Sequence, residues 1–272
     1  MTYLRRPVAF AHRGGAALWP ENTLEAFRSA IELGFRYIET DLHTTRDGHV
    51  VCFHDATVDR TTDGVGRVHE LDLAELKALD AGYRFTDDGR TFPFRGRGFT
   101  TPTLEEALAL HPSLRLNVEI KQRAPAMEEI LWSAIDALGA HDRILVAAEH
   151  DALAERFRAL RPGSPVPTSA GVRGVLRFWI GARTGLHRVE RYPFQALQVP
   201  VSYAGLPVVD AIFIAAAHAH GLHVHVWTID EESEMHRLLE LGADAIMTDR
   251  PDRLAAVFRA RGLSLDGSPS GA

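Results

Sequence analysis

The chain reads as an α/β protein, a (β/α)8 TIM barrel with a small inserted subdomain, and three observations lead there. Short β-rich runs alternate with amphipathic helical stretches, the order expected of a parallel sheet covered by helices. Glycine follows five of those stretches, at 34, 139, 221, 242 and 262, where a helix C-terminus often needs a left-handed residue. The third observation is that several β-rich runs end in charged residues, as barrel strands do at the face that carries chemistry. With 272 residues and 46% apolar composition the chain can bury a large core, and one barrel domain over 1–263 accounts for it.

Eight strands are expected at 8–12, 37–44, 115–121, 143–149, 166–170, 196–200, 223–228 and 245–249. Helices are expected at 23–33, 127–138, 152–160, 175–184, 209–220 and 231–241, with 252–261 closing the chain. Asn22 with Glu25 three residues on, behind Pro20, forms a capping-box pattern for the first of them. A ninth β-rich run, 49–54, follows Arg46-Asp47-Gly48 and reads as the return arm of a hairpin. If Thr45 pairs with His49, Asp41 falls opposite Phe53 and Thr40 opposite His54. His54 then returns to the level of Asp41. Residues 55–101, with one short helix at 74–79, interrupt the barrel before a helix at 104–110; a loop region of that length usually shapes a site. The tail 264–272 is rich in Gly, Ser and Pro and is expected to be loose.

Thirty Lys and Arg stand against 36 acidic residues, a net charge of −6, so no broad basic field exists to attract nucleic acid. Cys52 is the only cysteine, which excludes an internal disulfide and fits a reducing, cytoplasmic setting. No apolar run is long enough for a signal peptide or a membrane span. Oligomeric state is not legible.

The first strand ends in His12-Arg13-Gly14-Gly15. The second carries Glu39 and Asp41 on one face, about 7 Å apart along the strand. The third carries Asn117, Glu119 and Lys121, again on one face. Three inward carboxylates cannot all ionise in a low-dielectric space without a positive partner. Either Lys121 and Arg13 supply a structural ion-pair network, or a divalent cation, Mg2+ or Ca2+, binds the oxygens. Burying so much charge without a function costs stability, which favours the metal reading. His12 and His54 then make a plausible acid–base pair beside it, since histidine titrates near neutrality.

At this point the residues match a known pattern. His12-Arg13-Gly14-Gly15, Pro20-Glu21-Asn22-Thr23 with Ala26-Phe27, Glu39-Thr40-Asp41, Thr45, Asp47-Gly48 and His54-Asp55 resemble the N-terminal signature of the glycerophosphodiester phosphodiesterases. Glu119-Ile120-Lys121, Trp227-Thr228 and Thr248-Asp249-Arg250-Pro251 resemble that family's later motifs, so the resemblance spans 12–251. It implies a barrel of the phospholipase-C-like phosphodiesterase type and hydrolysis of small glycerophosphodiesters, such as glycerophosphocholine or glycerophosphoethanolamine, to an alcohol and sn-glycerol 3-phosphate. It further implies His12 and His54 as acid and base, Glu39, Asp41 and Glu119 as metal ligands, and Arg13 and Lys121 as phosphate contacts. Attack by the glycerol 2-hydroxyl through a cyclic phosphate and direct attack by water both remain open.

Trp227 is placed to pack its ring on glycerol carbons, or else is a core aromatic; Gln198 either bonds a substrate hydroxyl or is structural. His223 and His225 share a face with Trp227, but an oxygen-rich site does not need them as ligands. Glu149-His150 departs from the small or aromatic residues expected at that place in the family. The stretch 175–183 interleaves apolar and basic residues. It is expected to pack Leu176, Trp179 and Ile180 on the barrel, with an interfacial patch for lysophospholipid or transient membrane contact as the alternative. The competing functions are a lysophospholipase D and a catalytically silent binding barrel, the latter weakened because none of the motif histidines or carboxylates is missing.

Overall fold

The computed structural model describes residues 3 and 5–268. Its centre is a parallel sheet of β1 (Val8–His12), β2 (Tyr37–Thr44), β4 (Arg115–Ile120), β5 (Ile144–Ala147), β6 (Ala196–Val199), β9 (His223–Val226) and β10 (Ala245–Thr248), ordered β5-β4-β2-β1-β10-β9-β6. The expected fifth barrel strand, 166–170, is reduced to two bridges, Val146↔Thr168 and Ser169↔Ala196, which close the ring between β5 and β6. Proline explains the shortening: Pro165 and Pro167 have no N–H to give a ladder. Pro167 contributes only its carbonyl, which accepts from the Val146 amide at 2.9 Å.

Alternation sorts the side chains into two cores. Val8, Phe10, Tyr37, Leu145, Ala147, Ala245 and Met247 fill the barrel interior with Tyr3 and Ala196. Their sequence neighbours Ala9, Ala11, Ile38, Val146 and Ile246 face outward onto the helices, as period-2 strands buried on both faces require. The helical layer is α1 (Leu24–Glu32), α3 (Leu104–Ala109), α4 (Glu128–Ala137), α5 (Asp151–Leu160), α6 (Val172–Thr184), α7 (Ala211–Ala219), α8 (Glu232–Leu241) and α9 (Pro251–Ala260).

The hairpin takes the register expected from its turn. β3 (Val50–Cys52) runs antiparallel to β2 with Leu42 opposite Cys52 and Thr44 opposite Val50. The Phe53 amide donates to the Asp41 carbonyl at 2.8 Å, which carries the pairing to the threshold of His54. The insertion that follows has a small core of its own, Val51, Phe53, Val58, Val68 and Leu76. It contains a 3-10 turn (Val68–Glu70) and α2 (Leu73–Lys77), and at its far end Phe94 meets Phe85 edge to face and Phe99 at a tilt.

Four expectations need correction. Asn22 does not cap α1: Thr23 does, its hydroxyl accepting from the Ala26 amide at 3.2 Å. A short hairpin, β7 (Ser202–Tyr203) with β8 (Leu206–Pro207), follows β6 without having been foreseen. In α6 the buried face is Phe178, Gly181 and Ala182, with Trp179 packed on the core as expected, whereas Leu176 and Ile180 point to solvent. The tail is tied down through residue 268: the Ala9 amide donates to the Leu265 carbonyl at 3.0 Å, and Leu265 packs on the main core. Residues 269–272 lie outside the described residues.

Candidate active site

The site is built at the C-terminal ends of β1, β2 and β4. Register sets Glu39 beside His12 and Asp41 beside Glu119, and alternation turns all four side chains inward. Carboxylate oxygens of Glu39, Asp41 and Glu119 all lie within 4.8 Å of one another. Glu39 and Asp41 are buried and Glu119 is partly exposed.

Two cations share this cluster. Lys121 Nζ stands 2.8 Å from Glu119 and 3.4 Å from Asp41, and Arg13 Nε stands 3.2 Å from Asp41. Burial works to raise the Asp41 carboxyl, but Arg13 and Lys121 outweigh it and hold the group below the usual range. Glu39 goes the other way: burial, then the Asp41 charge, push its carboxyl well above the ordinary value. Lys121 and Arg13 therefore leave the charge of this cluster incompletely balanced. A donor set made only of closely spaced carboxylate oxygens fits a hard divalent cation, which would supply the missing positive charge. No other group with metal-ligand spacing occurs among the described residues.

Each histidine of the expected pair has its Nδ1 held by a carboxylate. His12 Nδ1 lies 2.7 Å from Asp249, and its Nε2 lies 3.6 Å from Glu39. His54 Nδ1 lies 2.5 Å from Asp55. Burial depresses the His12 imidazole, yet Glu39 and Asp249 together raise it overall. The Phe53 amide on the Asp41 carbonyl puts His54 one residue along from that strand position, and both imidazoles act to lower the Asp41 carboxyl.

Sequence reasoning left several supporting residues without roles. Asn22, at φ +55°, gives its amide N–H to Asp41 at 3.1 Å and accepts from Thr40 at 2.7 Å. Arg13, at φ +50°, is the other non-glycine residue here in the left-handed region. Backbone strain of that kind collects where neighbours fix a functional geometry. Gly14, at φ +86°, allows the turn to sit against α1, since a Cβ there would come within 2.8 Å of Ala26 Cβ. Glu21 bridges two arginines, accepting from Arg13 at 3.0 Å and from Arg60 at 2.7 Å. Arg60 comes from the insertion and also donates to Asp55 at 2.6 Å. Asp249, Asn22, Glu21 and Asp55 lie in the motifs already noted; Arg60 carries no sequence signal.

Gln198 gives its amide N–H to Asn117 at 2.6 Å and approaches His225 at 3.3 Å, so its side chain is engaged inside the barrel. His225 is buried and stands apart from the carboxylate cluster. Trp227 follows β9 and is 42% exposed, so it is not a core aromatic. His150 precedes α5, and Glu149 beside it is exposed.

Comparison with known proteins gives the family. A probable glycerophosphodiester phosphodiesterase of Mycobacterium tuberculosis is 35% identical over 261 residues, covering 94% of this chain and 92% of that protein. A lysophospholipase D of Rattus norvegicus is 26% identical, covering 90% and 83%. The solved structure of an Oleispira antarctica phosphodiesterase, in complex with the product sn-glycerol-3-phosphate, superposes with a TM-score of 0.76 at 28% identity, covering 93% of this chain and 97% of that one. The family model described as the glycerophosphoryl diester phosphodiesterase family matches residues 12–253, and the chain belongs to that family.

Proposed function

We propose that the protein hydrolyses small glycerophosphodiesters, of the glycerophosphocholine and glycerophosphoethanolamine kind, to an alcohol and sn-glycerol 3-phosphate. The observation that carries the reading is the pairing of two carboxylate-held histidines with a three-carboxylate cluster in one barrel mouth. With Nδ1 committed, each imidazole is left to work through Nε2, one taking a proton from the attacking oxygen, whether of water or of the glycerol 2-hydroxyl followed by hydrolysis of the cyclic phosphate, and the other giving one to the leaving oxygen. Glu39, Asp41 and Glu119 would hold one Mg2+ or Ca2+ ion, which when bound supplies charge stabilisation to the phosphate oxygens. Arg13 and Lys121 add fixed positive charge for the diester and its phosphate product. Trp227, exposed at the mouth, offers an apolar face to glycerol carbons. Gln198, bonded to Asn117 and His225, supports the pocket floor in this proposal and does not bind a hydroxyl directly.

Among the described residues no helix is long and apolar enough to cross a membrane. A cytoplasmic setting is part of the proposal and rests on the lone, buried Cys52. A lysophospholipase D activity is the second reading, favoured by the rat relative. The deciding assay measures glycerol 3-phosphate from glycerophosphocholine, with and without chelator, beside turnover of lysophosphatidylcholine. Loss of activity on chelation and in His12→Ala and Glu39→Ala is expected. Full activity in chelator would overturn the metal, and faster cleavage of the lysolipid would overturn the soluble substrate.

A further inference from the structure

Helix α6 buries one face and leaves an apolar face uncovered. Phe178 is fully buried beneath it, while Val172, Leu176 and Ile180, four residues apart in turn, are 54%, 55% and 45% exposed. The stripe continues into the following 3-10 turn (Leu186–Val189), where Leu186 is 54% and Val189 83% exposed. Leu176, Ile180, Gly181 and Leu186 line a shallow depression of about 300 Å3 edged by Arg173, Arg177 and Glu190. The β7–β8 hairpin lies against the same helix, because the Trp179 indole donates to the Pro207 carbonyl at 3.1 Å. That hairpin also carries exposed Tyr203 and Leu206. Isolated apolar residues on a surface are ordinary; a contiguous set of this kind marks an interaction site.

Charge says what the face meets. Residues 172–191 hold five arginines (Arg173, Arg177, Arg183, Arg188 and Arg191) and one carboxylate, Glu190, in a chain whose net charge is −6. Three of these arginines are already paired: Arg183 with Asp210, while lying over the Trp179 ring, Arg177 at 3.1 Å from Glu190, and Arg173 at 3.6 Å from Asp151. Among the described residues no carboxylate pairs with the side chains of Arg188 or Arg191, both exposed. A two-fold contact between two copies of this face would set arginine against arginine, which disfavours self-association.

We propose that this face docks the protein reversibly on an anionic lipid surface. The aliphatic stripe enters the headgroup boundary, and the surrounding guanidiniums take lipid phosphates. The residues lining this face include none of the carboxylate cluster, and the inference goes beyond the hydrolysis of a soluble diester.

Co-sedimentation of the full chain with phosphatidylcholine vesicles, with and without phosphatidylglycerol, tests it. Binding is expected only when the anionic lipid is present, weakening with salt. The Leu176→Ser/Ile180→Ser variant should bind about tenfold more weakly, and Arg177→Glu/Arg188→Glu should lose the preference for anionic lipid by a similar factor or more. Both alter exposed residues outside the site, so their turnover of soluble diester should match the unaltered protein and verify folding. Vesicle binding needs no turnover, so its failure is separable from failure of the phosphodiesterase reading. Absence of binding to anionic vesicles, binding undiminished in both variants, or light scattering that shows dimers through this face would each overturn the proposal.

Discussion

Asp249, just beyond β10, holds Nδ1 of His12 at 2.7 Å across 237 residues of sequence. The carboxylate fixes the ring and leaves Nε2 toward Glu39, as an orienting acid does for a catalytic imidazole. Asp249→Asn should therefore lower kcat about 10²-fold or more while KM moves only a few-fold. Steady-state kinetics on glycerophosphocholine check this, and a kcat within about twofold of the unaltered enzyme would exclude an orienting role.

Glu39 is costly to the fold before any cation binds, since its charge is buried beside that of Asp41. Glu39→Gln should leave the metal-free protein as stable as before or up to about 1 kcal/mol more stable. Activity should fall about 10²-fold and calorimetric Mg2+ affinity should weaken about tenfold or more. Melting curves with and without Mg2+ separate the two effects. A large loss of stability without metal would contradict the electrostatic account.

Arg60 ties the insertion to both halves of the site through Asp55 and Glu21. Because it is half exposed, its ion pairs contribute little to stability. Arg60→Ala should lower kcat about tenfold through looser positioning of His54 and Arg13, with little change in Tm. Arg60→Lys should recover only part of that rate, since a point charge cannot reach two carboxylates with a planar fork. Equal rates for all three proteins would remove Arg60 from the positioning scheme.

His225 stays neutral inside the barrel, its imidazole pushed down to about 3 by burial and then by the neighbouring His223. Below its ordinary value of 6.5 the unfolded chain takes up a proton that the folded chain refuses until about pH 3. The unfolded state then binds more protons, so stability is whole above pH 6.5 and falls as the pH drops from there toward 3. The slope from this one group is at most about 1.4 kcal/mol per pH unit. Urea titrations at a series of acidic pH values should show a shallower decline for His225→Gln. An unchanged slope in that variant would assign the acid sensitivity elsewhere.

The hairpin register was legible because a turn of known length fixes every later pair, and the pairing runs as expected as far as Phe53 on Asp41. The carboxylate cluster was legible for a similar reason, since strand alternation decides which side chains share a face. Asn22 was misassigned because asparagine caps helices as readily as it adopts a left-handed turn, and only the tertiary contact with Asp41 decides between them. Arg60 was invisible, for an arginine in a charged loop has no local pattern and its partners lie five and 39 residues away. In α6 the apolar spacing was evident, but which face met the barrel depended on Phe178 filling the space that Leu176 was expected to fill.

Pairing of β1 with β10 makes the first strand the neighbour of the last. During synthesis from the N-terminus, the carboxylates and both histidines are complete when β4 emerges, yet His12 has no orienting partner until residue 249 follows. On the proposed mechanism, a nascent chain therefore carries its acid–base groups before the carboxylate that orients one of them, and full turnover is expected only once the ring has closed.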